Sequence, residues 1–268
     1  MSFRIAHLSD LHFGGENAEA MAAAATHIIE IGVDLVVLAG DLTVRGRRDE
    51  YAAAKAWADA IPGPKLVTPG NHDSPYGPER IFRPFRRFEQ HFGPPDCVSW
   101  TSAAARVVAI NSARGVQPRA NWSKGQVSTA QIRRATAQFA VRPAGALAIL
   151  VCHHPLVEML GGPMSAEVWG GSRAARRLAD SGVDLVLSGH VHAPFAMPFG
   201  FGDAHTFAVG SGTLSKRERG VPPGFNLIES SDDAHTVTAL AWTGSHFESW
   251  RTWALPRRQT RRDSIGKS

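Results

Sequence analysis

Two hydrophobic rhythms alternate along the chain. Short runs that are apolar on both faces, DLVVLA at 34–39, ALAILVC at 146–152 and DLVLS at 184–188, have the length and branched content of buried parallel strands. Between them, apolar residues recur at helical spacing. In 16–31, Met21, Ala25 and Ile28 share a face, with Gly32 as a C-terminal cap. Similar stretches predict helices at 49–60, 78–91, 128–140 and 172–181, and further strands are expected at 3–8, 65–68, 97–101 and 105–111. After residue 200 the helical signal stops and strands follow at 205–209, 225–229, 234–243 and 247–254. This order predicts an α/β core with a β-rich C-terminal part, all one domain over 1–255, followed by a basic, flexible tail at 256–268.

Composition sharpens this picture. With 268 residues, 43% hydrophobic and 20% charged, the chain can bury a substantial core, which excludes disorder, collagen and coiled coil as overall descriptions. A net charge of +5 would ordinarily favour an acidic partner such as nucleic acid. From Arg251 onward, however, six cations face one anion, Asp263, so the first 250 residues are neutral overall. Nucleic acid is therefore not the expected partner. Two cysteines, Cys97 and Cys152, make no disulfide framework, and Cys152 reads as a packed thiol. No apolar run of eighteen residues and no signal-peptide pattern occurs, so a cytoplasmic protein without a membrane span is expected.

The candidate chemistry sits at strand ends. Three times an apolar strand is followed by glycine and then a metal-competent side chain: Gly40-Asp41, Gly70-Asn71 and Gly189-His190. Glycine permits the sharp turn, and open α/β sheets bind their ligands at that edge. Ser9-Asp10-Leu11-His12 and Cys152-His153-His154-Pro155 end two more strands. Asp10 and His12, like His190 and His192, are two apart and project to one face in extended chain. His153 and His154 point apart, so one ligates and the other stands behind it. Carboxylate, imidazole and amide oxygen suit Mn, Fe or Zn. Seven such donors are too many for one tetrahedral ion and fit two ions sharing a carboxylate; a pair roughly 3.5–4 Å apart polarises a phosphoryl group and activates water. No Gly-x-Ser-x-Gly elbow, Walker A loop or dinucleotide fingerprint is present.

The ordered set Asp10-x-His12, Gly40-Asp41, Gly70-Asn71-His72-Asp73, His153 and Gly189-His190-x-His192 resembles the calcineurin-like metallophosphoesterases over residues 3–212. Gly-Asn-His-Asp alone should arise at roughly one position in 10⁵ at average composition. The resemblance implies a four-layer α-β-β-α sandwich with two central mixed sheets. It also implies that Asp10, His12 and His192 hold one divalent ion, Asn71, His153 and His190 the other, and that Asp41 bridges them. His72 resembles the general acid, protonating the leaving oxygen or stabilising phosphoryl charge. Where protein phosphatases of the superfamily carry Gly-Asp-x-x-Asp-Arg-Gly, this chain has Val44 in place of the second aspartate, which argues against that activity and leaves His72 without its orienting partner. Arg45 keeps the arginine position, as an exposed loop residue or a phosphate contact. In Gly40-Asp41-Leu42-Thr43, Gly46, Glu50-Tyr51, Pro69 through Asp73 and His153-His154-Pro155, the chain is most similar to bacterial class III cyclic-nucleotide phosphodiesterases.

The expected function is dinuclear-metal hydrolysis of a phosphodiester in a small molecule such as a cyclic nucleotide. A nuclease, a nucleotide-lipid pyrophosphohydrolase and a catalytically inactive metal-binding regulator are the alternatives. The remaining histidines, His7, His27, His91, His205, His235 and His246, read as structural or surface residues, and Asp34 and Asp184 as turn residues. The arginine–aromatic segment 80–88 reads as an amphipathic helix with Ile81, Phe85 and Phe88 inward and solvated arginines, rather than as a single-strand-binding stretch. Trp169-Gly170-Gly171 is either a flap over the substrate or a packed tryptophan.

Overall fold

Both hydrophobic rhythms become layers. The computed structural model describes residues 3–158, 168–202 and 204–258. In chain order the elements are β1 (Phe3–Leu8), α1 (Ala18–Ile31), β2 (Leu35–Ala39), α2 (Arg48–Ala60), β3 (Lys65–Thr68), α3 (Glu79–Phe82) and α4 (Arg86–Phe92). Then come β4 (Val98–Thr101), β5 (Ala105–Ala109), α5 (Thr129–Ala140), β6 (Leu147–Val151), α6 (Gly171–Asp180), β7 (Leu185–Ser188) and β8 (Phe195–Pro198). The chain finishes with β9 (Phe207–Gly210), β10 (Gly224–Ser230), β11 (Ala234–Trp242) and β12 (Phe247–Pro256). One mixed sheet has the order β12-β11-β10-β1-β2-β3 and the other β4-β5-β6-β7-β9-β8.

Strand alternation decides what fills each gap. In β2, Leu35, Val37 and Ala39 join Leu147, Ile149, Val151, Leu185 and Leu187 in a core between the sheets. Val36 and Leu38 instead pack with Met21 and Ile28 of α1 and Tyr51 and Ala54 of α2. On the far side, Ala148, Leu150 and Val186 meet Ile132 and Phe139 of α5 and Ala175 and Leu178 of α6. Three cores separate four layers, so the expected α-β-β-α sandwich of two mixed sheets is borne out.

Local differences from expectation have local causes. The helix expected at 78–91 is two helices, because Pro84 lacks an N–H and Arg83 leaves the helical region at φ −148° and ψ 62°. Phe88 is buried as expected, but Ile81 points outward. Nor are the arginines simply solvated: Arg80 Nε donates to the Gly115 carbonyl (2.7 Å) and Arg87 Nη1 to that of Gly46 (2.8 Å). Strand β8 carries too little pattern to be seen in sequence; it is a four-residue edge strand ending in proline. Asp34 and Asp184 each accept a backbone N–H, from Arg4 and Ala148 (both 2.8 Å). Of the expected tail, Arg257 is tied to the carbonyls of Ser231 and Gly145 and Arg258 to Asp184, while 259–268 lie outside the described residues. Among the described residues no helix is long and apolar enough to cross a membrane.

Candidate metal centre

The C-terminal ends of β1, β2, β3, β6 and β7 deliver the predicted donors to one rim. Asp10, His12, Asp41, Asn71, His153, His154, His190 and His192 are all buried there, and His72 is half-buried. Close approach explains the glycines. A Cβ on Gly40, which sits at φ +89°, would lie 2.7 Å from His153 Nδ1. One on Gly189 would lie 1.7 Å from Ser9 Oγ and 2.5 Å from Asp10 Oδ2.

The donors meet at short range. Asp10 Oδ1 is 3.1 Å from His192 Nε2 and 3.8 Å from His12 Nε2, and the two imidazole nitrogens are 3.3 Å apart. His153 Nε2 is 3.3 Å from Asp41 Oδ2, and His12 Nε2 is 3.9 Å from the same oxygen. Each ring is aimed from behind by a backbone carbonyl facing its Nδ1: Ala39 for His153 (2.8 Å), Arg217 for His192 (2.7 Å) and Thr43 for His12 (3.3 Å). Buried Asp10 Oδ1, Asn71 Oδ1, His153 Nε2 and His190 Nε2 have no well-aligned hydrogen-bond partner. Such groups are costly unless something else satisfies them. Four unsatisfied N and O donors around two carboxylates fit divalent cations. Two trios lie with their donor atoms within 4.8 Å of one another: Asp10, His12 and His192, and Asp10, Asp41 and His153. His154 also lies that close to His153 and His190, but it spends Nδ1 on Ser112 Oγ (2.9 Å) and Nε2 on the Ser123 carbonyl (2.7 Å), so it supports the rim from behind.

The backbone is strained where these donors sit. Asp10, His12, Asp41, His190 and His192 all have positive φ, between 49° and 69°, a region that L-residues seldom occupy.

Beside the donors, His72 heads an open cleft of about 270 Å³ lined by Arg45, Asn71, Tyr76, Arg80 and Trp122. Its Nδ1 is 2.7 Å from the Val44 carbonyl, and Arg217 Nη1 is 3.0 Å from its Nε2. Arginine only donates, so Nε2 accepts and the ring hydrogen sits on Nδ1, donating to Val44. The residue that lacks the phosphatase carboxylate thus orients His72 through its main chain.

A comparison with protein families matches the calcineurin-like phosphoesterase profile to residues 3–194. The chain belongs to that family. A glycerophosphodiester phosphodiesterase, GpdQ, of Enterobacter lignolyticus is 34% identical over 80 residues, which cover 26% of this chain and only 29% of that relative. Among solved structures, GAP50, the anchor in the inner membrane complex of Plasmodium, is 14% identical with a TM-score of 0.67, covering 97% of this chain and 90% of that one. Purple acid phosphatase PPD1 of yellow lupin is 13% identical with the same score, covering 96% and 54%. At these identities the likeness bears on fold alone.

The electrostatics suit a phosphoesterase centre. Burial would push Asp10 up, but His192 and His153 hold its carboxyl well below the usual range; Asp41 is held down in the same way, chiefly by His153 and His72. Burial pushes His12 down to about 4 and His190 to about 3, keeping both neutral and able to ligate. His153 goes the other way, to about 9, because Asp41 and Asp10 outweigh its burial. It takes up positive charge where a cation would supply it. Asp73, given no role from sequence, is a scaffold: its oxygens accept from the amides of Leu42, Thr43 and Gly70 (3.1, 3.0 and 2.8 Å) and so lock the Asp41 loop to the Asn71 loop. Arg217 was also missed, since the loop after β9 carries no motif. Trp169 is exposed rather than packed into a core, with the Arg119 guanidinium 4.2 Å from its ring centroid; residues 159–167 lie outside the described residues.

Proposed function

We propose that this phosphoesterase is a metal-dependent phosphodiesterase acting on a small molecule, with a cyclic nucleotide as the expected substrate. The observation that carries the proposal is the group of buried, unpartnered donors, Asp10 Oδ1, Asn71 Oδ1, His153 Nε2 and His190 Nε2, at one end of a cleft headed by His72. Asp10, His12 and His192 would hold one ion and Asn71, His153 and His190 the other, with Asp41 between them. Bound divalent ions supply Lewis acidity toward a phosphoryl group. The carbonyls of Ala39 and Arg217 keep the donor rings from turning. Val44 holds the Nδ1–H of His72, so Nε2 is the ring atom that takes up a proton from water, in place of its bond from Arg217, and passes it to the departing oxygen. Arg217 places its guanidinium beside that atom and Arg45 lines the same cleft, both as donors for the phosphate oxygens.

The retention of every predicted donor and of His72 favours an enzyme over an inactive metal-binding regulator. The neutral first 250 residues and the small cleft favour a small diester over a nucleic-acid strand. The similarity to a glycerophosphodiester phosphodiesterase supports diester chemistry through a short stretch only. The test is a substrate panel, bis-p-nitrophenyl phosphate, 2′,3′- and 3′,5′-cyclic nucleotides, glycerophosphoethanolamine, single-stranded DNA and the monoester p-nitrophenyl phosphate, assayed with Mn, Fe, Zn or no metal. Metal-dependent turnover of a small diester is expected; turnover of monoesters alone would overturn the proposal.

A further inference from the structure

We propose that Tyr76, Arg80 and Trp122 form a stacking subsite that takes the base of a nucleoside phosphate beside the metal centre. The inference rests on the phosphodiesterase reading and narrows its substrate. The cleft that begins at Asn71 and His72 continues to these three side chains. Tyr76 is 70% and Trp122 42% exposed, so two large rings are left open at the mouth of one cleft. Folding gains nothing from such exposure, and contiguous exposed aromatic surface beside a polar centre marks a binding site.

Arg80 joins the two rings. Its guanidinium carbon is 6.0 Å from the Tyr76 centroid and 5.8 Å from that of Trp122, and its Nε is fixed on the Gly115 carbonyl at 2.7 Å. It is the one member of the arginine–aromatic segment at 80–88 that lines this cleft. The Trp122 loop is held as well. Gln117 Nε2 donates to the carbonyls of Trp122 (3.3 Å) and Lys124 (2.6 Å), and His154 Nε2–H donates to the Ser123 carbonyl at 2.7 Å. His154 thereby fixes the Trp122 loop to the strand end that carries His153. A platform held in place before binding loses less entropy when a ligand arrives.

The chemistry selects a flat ring. Two aromatic faces and a guanidinium plane stack on any nucleobase but make no comparable contact with glycerol, ethanolamine or another aliphatic alcohol. At about 270 Å³ the cleft lies just below the ~300–1,000 Å³ of ordinary ligand sites, so it accepts a mononucleotide and not a duplex.

Calorimetry on the Mn-loaded chain separates base from phosphate by comparing AMP with ribose 5-phosphate. AMP should bind roughly 5- to 150-fold tighter, the usual weight of one stacked base. The Trp122→Ala/Tyr76→Ala double variant should bring that ratio close to one, and Trp122→Phe should recover most of it. Equal wild-type affinities, no binding of AMP, or a ratio unchanged in the double variant would overturn the inference. Diester hydrolysis is measured separately: a base preference without turnover of any diester would sink the phosphodiesterase reading and leave the subsite standing.

Discussion

Replacing His72 with alanine tests the division of labour at the rim. The ring is half-buried and makes one bond to the main chain, Nδ1–H to the Val44 carbonyl at 2.7 Å, and one to Arg217 at 3.0 Å. Losing both costs about 2 kcal/mol at roughly 1 kcal/mol each, a small part of the ~5–15 kcal/mol that holds a domain together, so the variant stays folded. The ring is not among the proposed donors, and the His72 backbone N–H still donates to Asp41 Oδ1 at 2.8 Å, so bound metal should match wild type by elemental analysis. Turnover should nevertheless fall by about 10²- to 10⁴-fold, the scale of a lost acid catalyst. The loss should depend on the leaving group. An alkoxide needs a proton as it departs, whereas p-nitrophenolate leaves readily without one, so the kcat for bis-p-nitrophenyl phosphate should fall far less than that for an alkyl diester. An equal fall for both substrates would mean that His72 stabilises phosphoryl charge instead. Unchanged turnover would remove it from the mechanism.

Three further outcomes follow from the packing around the rim. Gly189→Ala puts a Cβ 1.7 Å from Ser9 Oγ, and overpacking of that kind costs about 1–3 kcal/mol or more, so denaturant midpoints and bound metal should drop together; a variant with wild-type metal content would contradict this. Tyr51→Phe removes the hydroxyl that donates to the Asp73 carbonyl at 2.5 Å, and urea unfolding should show a loss of about 1–3 kcal/mol with the ring still packed; no loss would show that water takes over the bond. Burial, with Arg257 and Arg258 nearby, pushes His235 down to about 4. Its folded pKa lies below the unfolded 6.5, so its contribution is complete above pH 6.5 and lost as pH falls toward 4. The stability gap between pH 7 and pH 5 should therefore shrink by about 2 kcal/mol in His235→Asn, and an unchanged gap would refute the assignment.

What could be seen in the sequence was side-chain chemistry attached to regular elements. Gly40-Asp41, Gly70-Asn71 and Gly189-His190 stood out because each follows an apolar run whose length predicts a strand, and parallel strands align their ends. The break at Pro84 was visible in principle, but the apolar spacing of Ile81, Phe85 and Phe88 imitates a continuous helix. What stayed hidden depends on main chain or on irregular loops. The orienting group for His72 is a carbonyl, which every residue carries, so no side-chain pattern at Val44 could announce it. Arg217 comes from a loop, and only the folded backbone brings it to His72 and His192 at once. Tyr76 and Arg80 are four residues apart, but Trp122 joins them from a distant loop, and no spacing announces that meeting.

The backbone at the rim makes metal a component of folding as well as of chemistry. Each non-glycine residue in the left-handed region costs roughly 1–2 kcal/mol, less for aspartate, whose short side chain bonds locally. Five such residues, Asp10, His12, Asp41, His190 and His192, therefore store about 5 kcal/mol or more in one place. That is as large as the whole stability of many domains, and the unpartnered Asp10, Asn71, His153 and His190 atoms add to it. Packing and the Ala39 and Arg217 carbonyls hold the shape, but the ions proposed here offset the remaining cost, because they bind the assembled rim and find no such arrangement in the unfolded chain. Removing metal by chelation and dialysis should lower the unfolding free energy by about 4 kcal/mol relative to protein kept at a thousandfold excess of metal over Kd. Readdition should restore it, with a midpoint that rises with metal concentration. If the stripped protein, shown by elemental analysis to hold no metal, unfolds at the same temperature as the loaded form, the strained rim is maintained by packing alone and this account of its five left-handed residues is wrong.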